Sequence, residues 1–281
     1  MQAQSRRVQC LSPGGLHHMA YLEWGDPRNP EVVICVHGLT RAGRDFDQLA
    51  QTLASRFRVI CPDVVGRGAS DWLVDPTHYH VPQYVSDMVT LLARLDVPQV
   101  RWVGTSMGAL IGMALAAMPN SPISRMLIND AGPVITLRAL QRIGQYLGKA
   151  PLFETFEQAL DYVRTVSAPF GPHSDAQWRF LTEVVVRQND DGGWRMHYDP
   201  RIADAYARAL PAQDLVLWSV WDAIRCPVRV LRGAASDLLL AETCVQMQQR
   251  GPRTEVIEFA GVGHAPTFLH ADQIEAVVTF L

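Results

Sequence analysis

The stretch that decides the fold is QVRWVGTSMGALIGMALAAM, residues 99–118. Its first six residues form an apolar run that predicts a buried strand, and the residues from Met107 onward predict a helix. The turn between them, Gly104-Thr105-Ser106-Met107-Gly108, matches the pattern G-x-S-x-G. The pattern alone is weak, but between a strand and a helix such a turn lifts a serine hydroxyl clear of a sheet. The stretch therefore predicts an α/β fold with Ser106 as the candidate nucleophile.

Five further apolar runs indicate that this strand belongs to a larger parallel sheet. They lie at residues 31–38, 58–63, 125–130, 228–233 and 254–259. Runs without polar alternation are typical of strands that are buried on both faces. Helical segments separate the runs, and this alternation predicts right-handed crossovers in a doubly wound sheet. An antiparallel hairpin arm is predicted near the N-terminus.

One long segment, residues 133–214, interrupts the alternation. It shows no buried-strand pattern, is helix-like between its prolines and glycines, and is rich in aromatic side chains. It predicts a helical insertion that lies over one end of the sheet. The predicted domains are a core of residues 1–132 and 215–281 and a cap of residues 133–214.

A nucleophilic serine needs a general base, and that base needs an acid to orient it. His264 follows the last predicted strand, so it lies at the carboxyl edge of the sheet, where Ser106 also lies. Asp237 follows the preceding strand at the same edge, and Asp130 is a competing acid after an earlier strand. The predicted triad is Ser106, Asp237 and His264, with Asp237 favoured over Asp130.

Composition and charge exclude several classes of partner. The formal net charge of −3 gives no electrostatic reason to expect nucleic acid or an anionic membrane as a partner. The sequence contains neither a secretory signal nor an uninterrupted apolar stretch of ~18 residues. The five cysteines lack C-x-x-C spacing, which favours reduced thiols. We therefore expect a cytoplasmic protein with a small-molecule substrate, and a homodimer is compatible with these features.

Three further motifs support a family resemblance. They are the turn His37-Gly38 after the first parallel strand, the sequence DVVGRGAS at residues 63–70, and the sequence NDAGP at residues 129–133. Together with the G-x-S-x-G turn and the order Ser, Asp, His, they make nearly the whole chain resemble the α/β-hydrolase family, in its esterase, lactonase and C–C hydrolase group. The resemblance implies an α/β-hydrolase fold with a mostly parallel eight-stranded twisted sheet, flanking helices and a helical cap insertion.

The same resemblance implies the remaining parts of a catalytic site. The backbone amides of Leu39 and Met107 would form the oxyanion hole, and His37 would hold the turn in place. The mechanism requires neither a metal nor an organic cofactor. His17 and the other paired histidines lack carboxylate or cysteine partners at metal-binding spacing, and we interpret them as solvated.

Two residues are candidate substrate ligands. Arg41, after the His37-Gly38 turn, could bind a substrate carboxylate, and Trp221 could line an apolar pocket. The predicted function is hydrolysis of a carboxylic ester or lactone of a small-to-medium, largely apolar substrate through an acyl-enzyme. Two alternatives stay open, namely C–C bond hydrolysis of a β-diketone ring-fission product and a non-catalytic ligand receptor. Haloalkane dehalogenases and epoxide hydrolases are disfavoured because those relatives need an aspartate in place of Ser106.

Overall fold

Thirteen strands and ten α-helices occur in the computed structural model, which describes residues 2–281. The strands are β1 (Gln4–Ser12), β2 (Gly15–Trp24), β3 (Val32–Val36), β4 (Arg58–Pro62), β5 (Val100–Thr105), β6 (Ile123–Asn129), β7 (Val134–Ile135), β8 (Leu152–Phe153), β9 (Val186–Gln188), β10 (Trp194–Met196), β11 (Leu215–Val216), β12 (Val228–Gly233) and β13 (Thr254–Phe259). The helices are α1 (Asp47–Leu53), α2 (Val81–Leu95), α3 (Met107–Ala116), α4 (Leu137–Tyr146), α5 (Phe156–Val166), α6 (Asp175–Glu183), α7 (Ile202–Ala209), α8 (Trp218–Ala223), α9 (Ala241–Gln249) and α10 (Ala271–Val278).

Eight of the strands form the central sheet, in the order β1-β2-β4-β3-β5-β6-β12-β13. The pairs β1–β2 and β2–β4 are antiparallel, and every later pair is parallel. The predicted mostly parallel, eight-stranded sheet is therefore confirmed, and so is the N-terminal hairpin. Because parallel strands end at the same edge, the loops after β5, β6, β12 and β13 meet on one side of the molecule.

The sheet separates two hydrophobic cores. Consecutive residues of a strand point to opposite faces. Val33 therefore packs with Phe46 and Leu49 on one face, whereas Ile34 packs with Met88 on the other. Burial on both faces explains why the strands read as continuous apolar runs without polar alternation.

The helix α2 shows how local sequence sets an element's bounds. His80 caps its start by accepting a hydrogen bond from the Gln83 amide, and Pro82 stands in the first turn. The helix ends at Leu95, after which Asp96 adopts a left-handed conformation with φ 52°. Among residues 2–281, no helix is long and apolar enough to cross a membrane.

A cap is inserted between β7 and β11, which pair antiparallel at its base. The proposed boundaries at residues 133 and 214 fall beside this pair. The cap holds α4 to α7, but it also contains the small antiparallel sheet β8-β10-β9. The prediction that the insertion lacks strands is wrong in this detail. Strands of two or three residues are too short to produce a periodic pattern in the sequence.

Candidate active site

Ser106 lies on the sharp turn between β5 and α3. Its backbone has φ 51° and ψ −111°, a strained conformation for a residue with a side chain. A Cβ on Gly104 would come within 2.5 Å of the Gly108 carbonyl, and a Cβ on Gly108 would overlap the Val36 carbonyl. The two glycines are therefore required for the strand and helix to pass this closely.

His264, in the loop after β13, contacts Ser106. Its Nε2 lies 2.9 Å from Ser106 Oγ, and its Nδ1 lies 2.7 Å from Oδ2 of Asp130. In this arrangement Nδ1–H donates to the carboxylate and Nε2 accepts the serine proton. The structure thus brings the predicted nucleophile and base together, and the acid beside them is Asp130.

Asp130 is fully buried at the end of β6, where its φ of 54° turns the side chain towards His264. Its Oδ1 accepts a hydrogen bond from the Gly233 amide at 2.9 Å, and its Oδ2 accepts one from the Ser236 hydroxyl at 2.6 Å. Three donors, counting His264, therefore fix the orientation of this carboxylate.

Asp237 does not occupy the predicted position. Its carboxylate forms a bidentate pair with Arg142 of the cap, with Oδ2–Nε 2.6 Å and Oδ1–Nη2 2.9 Å. This corrects the predicted triad. The error arose because β6 and β12 are neighbours in the sheet and end at the same edge. A carboxylate after either strand fits the sequence pattern, and only the direction of the side chain distinguishes them.

Leu39 and Met107, the predicted oxyanion-hole residues, flank the serine. Met107 is the first residue of α3 and directly follows Ser106. Leu39 follows Gly38, and a Cβ built on Gly38 would lie 3.7 Å from Ser106 Cβ. In the part of the chain that the structure describes, neither of the two amides donates to another protein group. Both amides therefore keep a free donor next to the serine.

His37 holds the turn that precedes Leu39. Its Nδ1–H donates to the Gly38 carbonyl at 2.7 Å, and its Nε2 accepts from the Val64 amide at 2.9 Å. Burial lowers the pKa of this histidine to about 3. The ring is therefore neutral, with one tautomer selected by its two partners, and it ties the turn after β3 to the loop after β4.

A cavity of about 110 Å³ opens in front of the serine, lined by both core and cap. The core contributes Ser106, His264 and the Leu39 turn. The cap contributes mostly apolar and phenolic side chains together with one arginine; the principal members are Arg142, Ile143, Tyr146, Tyr162, Val163, Phe170 and Tyr198. The site is therefore a mostly apolar pocket that a small organic molecule could enter from solvent.

Arg41 lines this cavity, but an internal partner matches its charge. Its Nε and Nη2 bind the carboxylate of Asp45 at 2.7 and 2.5 Å, and its guanidinium lies over the Phe170 ring. Only 11% of the side chain is exposed. Arg142 also lines the cavity, whereas its partner Asp237 is not part of the lining.

Trp221 is not a pocket residue. Its side chain is completely buried in the core, where Nε1 donates to the Arg250 carbonyl at 3.0 Å. The prediction that it binds substrate is wrong. A short helix with two tryptophans resembles a pocket wall in sequence, but α8 packs behind the cap, in the main hydrophobic core.

Arg142 and Tyr146 are two polar lining residues that sequence reasoning missed. They lie one turn apart on α4, so both face the same side of that helix. Their signal in the sequence is weak, because α4 is amphipathic and its two arginines, Arg138 and Arg142, are among several in the insertion. Arg142 is distinguished from the other arginines of the insertion only in the folded protein, where it binds Asp237 and lines the cavity.

A second cluster of polar residues corrects the interpretation of His17. This histidine is buried, and its Nε2 lies 3.1 Å from Oδ2 of Asp87, with Cys10 beside them. Sulfur, nitrogen and oxygen donors of this kind could hold a metal. However, His17 and Asp87 already bind each other, and burial raises the pKa of Cys10 to about 12, which favours the neutral thiol. The cluster joins the hairpin β1–β2 to α2.

Comparison with known proteins agrees with this fold. Residues 33–279 match the family model of the alpha/beta hydrolases, so the chain belongs to that family. The prediction of a hydrolase is thereby confirmed.

Three relatives illustrate the family. A 3-hydroxybutyrate-oligomer hydrolase of Cupriavidus necator is 52% identical over 280 residues, which cover 97% of this chain and 96% of the relative. A 2-(acetamidomethylene)succinate hydrolase of Mesorhizobium japonicum is 26% identical over 234 residues, covering 83% and 81% of the two chains. The crystal structure of an α/β hydrolase from Novosphingobium aromaticivorans superposes with a TM-score of 0.88 at 34% identity, covering 99% and 97%.

Proposed function

We propose that the protein is a serine hydrolase that cleaves carboxylic esters through an acyl-enzyme. The observation that carries this proposal is the continuous hydrogen-bonded chain from Ser106 through His264 to Asp130, with contacts of 2.9 and 2.7 Å. A buried carboxylate that fixes the tautomer of a histidine, which in turn contacts a serine, is the arrangement that activates a hydroxyl as a nucleophile.

The mechanism follows from these contacts. Ser106 Oγ attacks the ester carbonyl while its proton passes to His264 Nε2, and the negative charge of Asp130 stabilises the resulting imidazolium. The amides of Leu39 and Met107 hold the oxyanion. His264 then donates its proton to the leaving alkoxide, and the ester bond breaks. A water, deprotonated by His264, attacks the acyl-enzyme and releases the acid and the free serine.

We propose oligomers of 3-hydroxybutyrate as the substrate class. The Cupriavidus relative bears that activity in its name and is 52% identical over nearly the whole chain. The cavity also fits this chemistry. Its apolar and phenolic walls suit short aliphatic ester units, and Arg142 offers a cation for the terminal carboxylate that every free oligomer carries.

The test is hydrolysis of purified 3-hydroxybutyrate dimer and trimer, with release of the monomer measured by chromatography. We expect turnover by the wild-type chain and none by Ser106→Ala, and we expect a fluorophosphonate probe to label only the wild type. Labelling and p-nitrophenyl ester turnover without oligomer cleavage would retain the serine mechanism and reject the substrate. A Ser106→Ala variant with wild-type turnover would reject the mechanism itself.

Hydrolysis of a carbon–carbon bond is the second candidate. Arg142 at the cavity supports an anionic substrate such as a β-diketone acid, and one relative is a 2-(acetamidomethylene)succinate hydrolase. Turnover of a β-diketone acid that exceeds turnover of the oligomers would favour this candidate. Oligomer cleavage with no β-diketone cleavage would exclude it.

A further inference from the structure

Arg67 is a completely buried arginine behind the candidate oxyanion hole. Its Nε donates to the Leu39 carbonyl at 2.8 Å, and its Nη1 donates to the Val65 carbonyl at 2.8 Å. Its Nη2 lies 3.6 Å from Met107 Sδ. The guanidinium therefore contacts both residues whose amides face the attacked carbonyl, one through its backbone and one through its side chain.

The charge of Arg67 has no counter-ion. Within residues 2–281, no carboxylate lies within 4.0 Å of its guanidinium, which packs instead against the Tyr84 ring at 4.9 Å and the Tyr79 ring at 5.8 Å. Arg232, which at 6% exposure is the next most buried arginine among residues 2–281, is paired with Glu258. Burying an unpaired cation is costly, so its presence beside the oxyanion hole needs an explanation that packing alone does not supply.

We propose that Arg67 is the positioning residue of the oxyanion hole, an inference that rests on the proposed serine mechanism. Its fork fixes the peptide unit that follows Leu39 and contacts the Met107 side chain, so the two residues that carry the oxyanion amides are held in place before the reaction begins. Its positive charge also favours the negative oxyanion, which exists only in the transition state and in the tetrahedral intermediates. An interaction that strengthens only then raises kcat and leaves ground-state binding nearly unchanged.

The loop that carries Arg67 is itself tied down from the cap side. The Asp199 amide donates to the Gly66 carbonyl at 2.8 Å, and the Gly68 amide donates to the His197 carbonyl at 3.0 Å. The Asp199 carboxylate accepts from the Tyr79 hydroxyl at 2.7 Å, which fixes one of the two rings against the guanidinium. The position of Arg67 therefore depends on both the core loop and the cap.

The test compares wild type, Arg67→Met and Arg67→Lys with p-nitrophenyl butyrate. Rates are normalised to the number of active serines, titrated with a fluorophosphonate. We expect Arg67→Met to lower kcat by roughly 10- to 100-fold, less than the ~10²–10³ loss for a direct oxyanion donor, with KM changed by less than about threefold. Arg67→Lys keeps the positive charge but not the planar guanidinium, so its kcat should lie between those of wild type and Arg67→Met.

A transition-state analogue separates positioning from general stability. The affinity for a trifluoromethyl ketone, which forms a tetrahedral adduct, should fall in proportion to kcat/KM, whereas a ground-state inhibitor such as butyrate should bind equally well. Arg58→Met is the control, because it removes another arginine that is paired with Glu23 at 2.6 Å on the opposite edge of the sheet. It should lower thermal stability without changing kcat.

The outcomes are distinct. Wild-type kcat per active serine and unchanged trifluoromethyl ketone affinity in the folded Arg67 variants would overturn the proposal. If Arg67→Met does not fold, the same two measurements on Arg67→Lys decide. Turnover that survives Ser106→Ala would instead reject the serine mechanism, whatever the Arg67 variants do.

Discussion

At the residue scale, the two candidate acids differ in burial and in the number of hydrogen bonds that they receive. Asp130 is buried and receives three hydrogen bonds, whereas Asp237 is 40% exposed and bound to a single arginine. A carboxylate that is desolvated and oriented can stabilise an imidazolium far better than one that water screens. Burial and orientation therefore favour Asp130 over Asp237 as the acid of the proposed triad.

We expect Asp130→Asn to lower kcat by about 10³–10⁴. The amide keeps the shape of the carboxylate but cannot stabilise the imidazolium or select the required tautomer of His264. Asp237→Asn is the matched variant and should change kcat by less than about threefold. Steady-state rates with p-nitrophenyl butyrate check both, and a larger loss in Asp237→Asn than in Asp130→Asn would restore the original prediction.

Arg142 should control recognition of the substrate's charge. In Arg142→Gln we expect the KM for 3-hydroxybutyrate dimer to rise at least about tenfold, because one charge-assisted contact is lost. The methyl ester of the same dimer carries no carboxylate, so its KM should stay unchanged. In Asp237→Asn, which frees the guanidinium, the KM for the dimer should not rise. An equal rise for the acid and the methyl ester would show that Arg142 does not recognise the carboxylate.

At the scale of elements, the turns at the carboxyl edge of the sheet are fixed by close backbone approach and by side chains that bind backbone. The turn of Ser106 depends on two glycines, and the turn of Leu39 depends on His37. The loop after β4 is held in the same way, because Asp63 accepts from the Gly43 and Ala69 amides at 2.7 and 2.8 Å. These turns are more sensitive to substitution than their surface location suggests.

Gly108→Ala should destabilise the protein by about 3 kcal/mol or more, because the added methyl group overlaps the Val36 carbonyl and forces α3 away from β3. Gly144→Ala is the control. Gly144 lies within α4, and an added Cβ would contact only the Tyr206 ring, at an ordinary distance of 3.7 Å. Replacing that helical glycine should be neutral or stabilise by up to about 1 kcal/mol. Urea denaturation measures both, and equal stabilities would contradict the close approach.

The buried neutral His37 should make stability depend on pH. Its pKa is about 3 in the folded protein, below the 6.5 of the free group, because burial disfavours the charged form. The contribution to stability is therefore complete above about pH 6.5 and is lost as the pH falls towards 3. Thermal melts of wild type and His37→Gln from pH 7 to 4 measure this, and we expect a shallower decline in the variant.

Asp63 acts in the opposite direction, because burial raises its pKa to about 6. Stability from this group falls as the pH rises from about 4 to 6. Since Asp63 is present in both proteins, the difference between wild type and His37→Gln isolates the histidine. Parallel curves would show that His37 is not the titrating group.

At the scale of the whole molecule, stability and chemistry reside in different places. The two cores lie on the two faces of the sheet, the chemistry lies at its carboxyl edge, and the cap supplies most of the pocket wall. Residues deep in the cores therefore affect how much protein is folded and leave the reaction in the folded fraction unchanged.

Trp221 tests this separation. We expect Trp221→Ala to lower the free energy of unfolding by about 3–5 kcal/mol, because it leaves a large cavity in the core. Val216→Ala, at an exposed position of β11, should change it by less than about 0.5 kcal/mol. In both variants kcat per active serine should equal that of wild type. A selective loss of kcat in Trp221→Ala would return this residue to the substrate site.

Much of the architecture was predictable from sequence because it depends on local patterns. Strands buried on both faces need continuous apolar residues, and the serine turn needs glycine at positions 104 and 108, so both features are visible in the chain itself. The parallel part of the sheet, the N-terminal hairpin and the meeting of Ser106 with His264 all followed from such patterns. The small strands of the cap did not, because two or three residues carry no period.

By itself, the sequence determined the doubly wound α/β fold and the edge of the sheet at which the polar residues meet, because hydrophobic periodicity and turn chemistry act over a few neighbouring residues. Only the tertiary structure decided between Asp130 and Asp237, placed Trp221 in the core, set Arg67 against Leu39 and Met107, and placed Arg142 in the wall of the cavity. Those outcomes depend on side-chain direction and on contacts between segments far apart in the chain. Spacing along the sequence fixes which loop a side chain belongs to, but packing fixes where the side chain points.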